Sequence, residues 1–112
     1  MYFSDYRKHS NSKLNKDLFW EYDLGSFDFD KQASLVVERV IERGSSTDIY
    51  AVLNLYGEEK VYSLIKGLPS LSQREIEFVK NVFHIPYEEL TAYKNLISNP
   101  GMFKNGNLNV RI

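Results

Sequence analysis

From residue 30 onward the chain reads as apolar stripes at helical spacing, separated by short polar or glycine-bearing breaks. Ala33, Val36, Val37, Val40 and Ile41 recur near every 3.6 residues, which predicts a helix over 30–43. Lys31, Glu38, Glu42 and Arg43 fall mostly off that stripe. Asp28 or Asp30 is the expected cap for its free amides, and Gly44 is the expected left-handed residue at its end. A second helix is predicted over 47–56, with Ser46 as N-cap, Asp48 in its first turn and Gly57 closing it. Ile49, Tyr50, Val52, Leu53, Leu55 and Tyr56 leave it little polar surface, the signature of a centrally buried helix. A third helix over 58–66 turns Val61, Leu64 and Ile65 inward. "GLPSL" then breaks the chain. Ser72 and Glu75 form a capping-box pattern ahead of a helix ending near 83, with Ile76, Val79, Val82 and Phe83 inward. Pro86 suits the first position of a last short helix over 86–93.

The two ends break this pattern. Residues 1–16 are polar and carry no clear period. "DLFWEYDLGSFDFD" follows, rich in aromatics and broken at Gly25-Ser26. It predicts a short helical turn over 17–22 and then a loop. Phe19, Trp20, Phe27 and Phe29 are expected to pin that loop to the domain, the alternative being a partner surface. At the far end, Asn105-Gly106 signals a turn, and Leu108, Val110 and Ile112 alternate with polar residues. That predicts a short C-terminal strand, pairing with "MYF" at residues 1–3. The fold class expected is all-α: a compact bundle of four to five short helices with an aromatic-rich N-terminal segment and that one short strand. The organisation expected is a polar extension over 1–17, a helical domain over 18–94 and a tail over 95–112.

Composition narrows the function more than the fold. The chain has 112 residues, 43% of them hydrophobic, with eight Tyr, seven Phe and one Trp, which argues against disorder. Its formal net charge of -1 gives no global attraction to nucleic acid or anionic lipid. The charge is uneven. Residues 1–16 hold Arg7, Lys8, Lys13 and Lys16 against Asp5 alone, and residues 17–30 hold Asp17, Glu21, Asp23, Asp28 and Asp30 with no Lys or Arg. After Glu89 only basic charges occur, so the ends read as solvated termini and loops, the alternative being a small basic patch made by both together. The absence of cysteine excludes disulfides and thiolate metal sites. No stretch approaches the roughly 20 apolar residues of a membrane span, and the N-terminus carries no apolar run. A cytoplasmic protein without a membrane partner is expected.

Catalytic patterns are thin. "GSFDFD" at 25–30 echoes the Gly-Ser and Asp-x-Asp of nucleotidyltransferases, whose paired carboxylates hold two Mg²⁺. Here the Gly-Ser abuts the Asp pair and the spacer and sheet of that fold are missing, so capping and solvation explain Asp28 and Asp30 better. His9 and His84 lie far apart in sequence, with no nucleophile constellation or phosphate loop around them. Neither an enzyme nor a cofactor is expected. The corner "GSS" at 44–46 raises a helix-turn-helix question. Its second helix opens Thr47, Asp48, Ile49, Tyr50, with no cation to meet base edges, so a plain helical hairpin is the better reading. The helix over 73–83 is a better nucleic-acid candidate, through Gln73, Arg74, Lys80 and Asn81, and "LSQREIEFV" resembles the opening of a regulator-type recognition helix.

Taken in order, Phe19-Trp20-Glu21, Arg39-Val40 with Glu42-Arg43-Gly44, Tyr56-Gly57-Glu58, Leu71-Ser72 and Ile85-Pro86 resemble a small uncharacterised bacterial (Bacteroidetes-type) all-helical family. The resemblance spans about residues 18–94; Glu21 stands where the family usually has Asp. Such proteins are similar to those encoded beside abortive-infection nucleotidyltransferase-like toxins. The resemblance therefore implies an antitoxin or accessory partner, not the enzyme. Three roles follow as expectations. The first is a protein-binding module docking through Phe19, Trp20, Tyr22, Arg39 and Arg43, since Trp, Tyr and Arg most often anchor interfaces. Its counter-reading makes Trp20 core and pairs Arg39 and Arg43 with Glu38, Glu42 or Asp30. The others are a DNA-binding regulator using 73–83 and a structural homodimer.

Overall fold

The structure, a computed structural model, describes residues 2–98. The fold is all-α: the described residues form five α-helices, α1 (Ala33–Arg43), α2 (Ser46–Tyr56), α3 (Glu58–Gly67), α4 (Gln73–Phe83) and α5 (Thr91–Ser98), with 3-10 turns at Tyr6–His9 and Lys16–Phe19 before α1 and at Tyr87–Glu89 between α4 and α5. No strand occurs among the described residues. The expected C-terminal strand lies outside them, and its expected partners Tyr2 and Phe3 sit in turns. No helix among the described residues is long and apolar enough to cross a membrane. The described residues divide into two units, 2–65 and 66–98.

In the first unit, α1 packs on α2 along the predicted stripe, with Ala33, Val36, Val37 and Val40 buried. α1 begins three residues later than its periodicity suggests. Asp28 does not cap the helix itself: its Oδ1 accepts the amides of Asp30 and Lys31, closing a turn that uses up residues 28–32 first. Gly44 is not left-handed either. Its φ is -77°, and a Cβ there would stand 2.6 Å from the Val40 carbonyl oxygen, so close approach and not backbone freedom asks for glycine. Gly57, at φ 87°, does have the positive φ that glycine adopts without cost and closes α2 as expected. The N-cap of α2 is Ser45, one residue before the expected Ser46. Asp48 is buried there, and its Oδ2 accepts the Ser45 amide at 2.9 Å and the Ser45 hydroxyl at 3.0 Å. Its Oδ1 accepts the Asn15 amide at 2.8 Å, which ties the segment before residue 16 to the start of α2.

The N-terminal residues belong to this unit. The Tyr6–His9 turn packs on α2, with Phe3 and Tyr6 buried. Asn54 of α2 donates to the carbonyls of Tyr6 at 2.9 Å and His9 at 3.3 Å. Tyr50 donates to Asp5 Oδ1 at 3.0 Å and stacks on His9 with centroids 4.0 Å apart.

In the second unit, the capping box of α4 forms as read: Ser72 Oγ accepts the Glu75 amide and Glu75 Oε1 accepts the Ser72 amide. His84 ends α4 in the left-handed region, at φ 58°. The expected helix over 86–93 is interrupted. Leu90 is extended, so a 3-10 turn ends before it and α5 starts after it, running on to Ser98. Leu90 is fully buried, and its carbonyl accepts the amides of Tyr93 and Lys94 at the start of α5. Lys66 pairs with Glu89 at 3.0 Å, and Asn95 donates to the Pro69 carbonyl at 2.9 Å.

Candidate functional site

Within Lys16–Phe19 and the residue after it, three apolar side chains in a row take different fates. Leu18 and Phe19 are buried, at 5% and 1% exposure, while Trp20 stands 76% exposed. Asn15 Oδ1 caps this turn by accepting the Asp17 amide at 3.0 Å. Tyr22, two residues on, is 41% exposed. Of the aromatics expected to pin the loop, Phe19, Phe27 and Phe29 do so, with Phe19–Phe27 centroids 5.7 Å apart and Phe27–Phe29 centroids 4.8 Å apart. Trp20 does not. Phe19, conversely, is unavailable to a partner, so its place among the docking residues is as the anchor beneath the ridge.

Arg39 of α1 holds the ridge from behind. Its Nη1 donates to the Leu18 carbonyl at 2.7 Å, and both guanidinium nitrogens donate to the Glu21 carboxylate. The residues two before and one after Trp20 are therefore fixed to one side chain. Forked pairing of this kind is specific to guanidinium geometry. The Arg39 hydrogen bond, first among several causes, draws the Glu21 carboxyl below its usual range, with the charge of Arg43 adding to it. The same bond raises Arg39. The acid that Arg39 grips is Glu21, in the ridge itself, and the charge of Glu42 acts on Arg39 as well. Arg43 lies 3.8 Å from Glu42, as one expectation had it, with its side chain 56% exposed. The Arg39 guanidinium also lies 6.0 Å from the Tyr22 ring centroid. Exposed Trp20, half-exposed Tyr22 and exposed Arg43 thus share one neighbourhood, backed by Arg39.

Of the two carboxylates of "GSFDFD", Asp28 makes the turn described above, and the charge of exposed Asp30 acts on the Tyr56 hydroxyl. Just before the motif, Asp23 Oδ1 accepts the Gly25 amide at 3.0 Å. No cluster of metal-ligating side chains occurs among the described residues. In the second unit, Gln73, Arg74, Lys80 and Asn81 are all exposed on α4. Gln73 and Lys80, like Arg74 and Asn81, are two turns apart and share a face. Glu77 stands between them on that face, exposed and accepting the Tyr87 hydroxyl. Lys80 lies over the Tyr87 ring, 4.9 Å from its centroid. The exposure of Trp20 is not written in the local sequence: "LFWEY" offers three adjacent apolar residues, and the contacts that tell them apart come from farther along the chain, Arg39 at the Leu18 carbonyl and Phe27 and Phe29 against the Phe19 ring.

No curated protein and no solved structure matches the chain. A model of a family of unknown function (DUF6922) matches residues 14–65, a stretch that holds the Trp20 ridge, α1, α2 and most of α3. Over those residues the chain is similar to that family.

Proposed function

We propose that this chain is a protein-binding module that docks a larger partner through the ridge of Trp20 and Tyr22, with Arg43 at its side. One observation carries the reading: the chain's single tryptophan is 76% exposed on a turn whose neighbouring apolar residues are buried. An indole left in water forgoes about 25 cal/mol for each Å² of apolar surface not buried. Bound in a partner's pocket it recovers that term, and because Arg39 already fixes both flanks, little ordering entropy opposes docking. The resemblance to proteins encoded beside abortive-infection nucleotidyltransferase-like toxins supplies the partner class: such a toxin, with this chain acting in the cytoplasm as its antitoxin or accessory subunit. A DNA-binding role for α4 has weaker support, because Glu77 sits in the middle of the face that would meet phosphate.

The test is co-purification of the tagged full chain from its native host, beside Trp20→Ala, with captured proteins identified by mass spectrometry and the leading one repurified for titration. The partner should bind Trp20→Ala about tenfold or more weakly, with an unchanged thermal melt, since Trp20 contributes little to the core. Equal capture by the variant removes the proposal.

A further inference from the structure

We infer that Asn15 is a positioning residue of this ridge: it sets the turn that lifts Trp20 and acts on docking without touching the partner. Three of its polar groups work at once. Its amide donates to Asp48 Oδ1 at 2.8 Å, its side-chain Oδ1 accepts the Asp17 amide at 3.0 Å, and its carbonyl accepts the Leu18 amide at 3.1 Å. Asp48 is buried and its other oxygen is held by Ser45, so the first bond ties Asn15 to a fixed point at the start of α2. The other two bonds start the Lys16–Phe19 turn. The first amides of such a turn have no carbonyl of their own, and a side-chain acceptor supplies one. Beyond it, the Tyr22 amide donates to the Phe19 carbonyl at 2.9 Å and carries the chain round Trp20. Arg39, at Leu18 and Glu21, and the Phe19 ring, against Phe27 and Phe29, secure the rest of the turn; its entry rests on Asn15. Asn15 is itself exposed, and its φ of -72° and ψ of 118° are open to any L residue, so neither core packing nor backbone strain asks for asparagine there. The position asks for a short side-chain acceptor, which serine keeps and alanine lacks.

This inference rests on the docking role of the ridge, and the experiment separates the two. The full chain, Asn15→Ala and Asn15→Ser are compared by time-resolved fluorescence anisotropy of the single tryptophan, at a temperature where the helical signal of all three is intact. Asn15→Ala should enlarge the fast local motion of Trp20, and Asn15→Ser should restore it toward the wild-type amplitude. The partner captured with the full chain should bind Asn15→Ala about fivefold more weakly and Asn15→Ser close to the wild type. A direct contact by Asn15 would weaken both variants alike, since both lose the carboxamide. Unchanged Trp20 motion in Asn15→Ala, or equal losses in the alanine and serine variants, overturns the positioning role. A partner lost from Trp20→Ala but held in full by Asn15→Ala keeps the docking ridge and removes the part of Asn15 in it. One held by Trp20→Ala removes both.

Discussion

The Tyr56 hydroxyl donates to the Phe29 carbonyl at 2.7 Å, pinning the aromatic loop to the last turn of α2. Burial first, and the charge of Asp30 second, push its pKa up from 10.0 to about 12. The neutral phenol is therefore favoured by folding. Its contribution is complete below pH 10, the unfolded value, and is lost as pH rises through about 12. The wild-type protein should lose stability to urea across that window. Tyr56→Phe should cost about 1 kcal/mol at neutral pH and show a shallower alkaline decline. Some slope will remain, because Tyr50, Tyr62 and Tyr87 are raised as well. Gly44 makes a second residue-scale case. Gly44→Ala puts a methyl 2.6 Å from a backbone oxygen that cannot swing away, so it should destabilise by about 1–3 kcal/mol in the same assay. The sequence marks Gly44 as special and misleads about why: a helix end followed by glycine usually means positive φ, whereas here the demand is space against Val40. Trp20 is legible as unusual and illegible in direction, since Phe19 is buried against Phe27 and Phe29 and the turn is held by Arg39, all outside the local pattern.

At the scale of elements, helical periodicity located α2, α3 and α4 to within a residue or two, because each carries its own stripe and its own cap. The starts and breaks that it missed are set by side chains acting outside the helix they border. Asp28 delays α1, and the extended backbone of a fully buried Leu90 splits the last expected helix in two. Asp48 shows how one such side chain joins elements. It closes the start of α2 through Ser45 and, through the Asn15 amide, fixes the strand of chain that leads into the Trp20 turn. Asp48→Ala leaves these donors without an acceptor and should cost about 2–3 kcal/mol in urea unfolding. Asp48→Asn keeps an acceptor oxygen and should lose less. Equal losses would mean that the negative charge, not the hydrogen-bond geometry, sustains the junction.

At the scale of the whole molecule, the question is how much of the chain the first unit needs. The family match begins at residue 14, and residues 1–17 read as a polar extension. Yet Phe3 and Tyr6 are 5% and 4% exposed, Tyr6 to His9 form a turn against α2, and Asn54 has its amide directed at two carbonyls of that turn. The segment escapes a periodicity reading because it offers two apolar side chains three residues apart, a spacing that a 3-10 turn brings onto one side. Their partners lie some forty-five residues away, at Tyr50 and Asn54. Burying each aromatic contributes about 1.5–3 kcal/mol, and loss of the Asn54 acceptors adds to the cost. Removing residues 1–12 should therefore lower stability by about 3–6 kcal/mol and depress the melting temperature sharply, while leaving Asn15, which Asp48 holds, in the chain. A shortened protein that melts with the full chain would make the segment an appendage. One that melts early and also loses the hydrated emission of Trp20 before its helical signal would show that the ridge is the first part of the unit to depend on it.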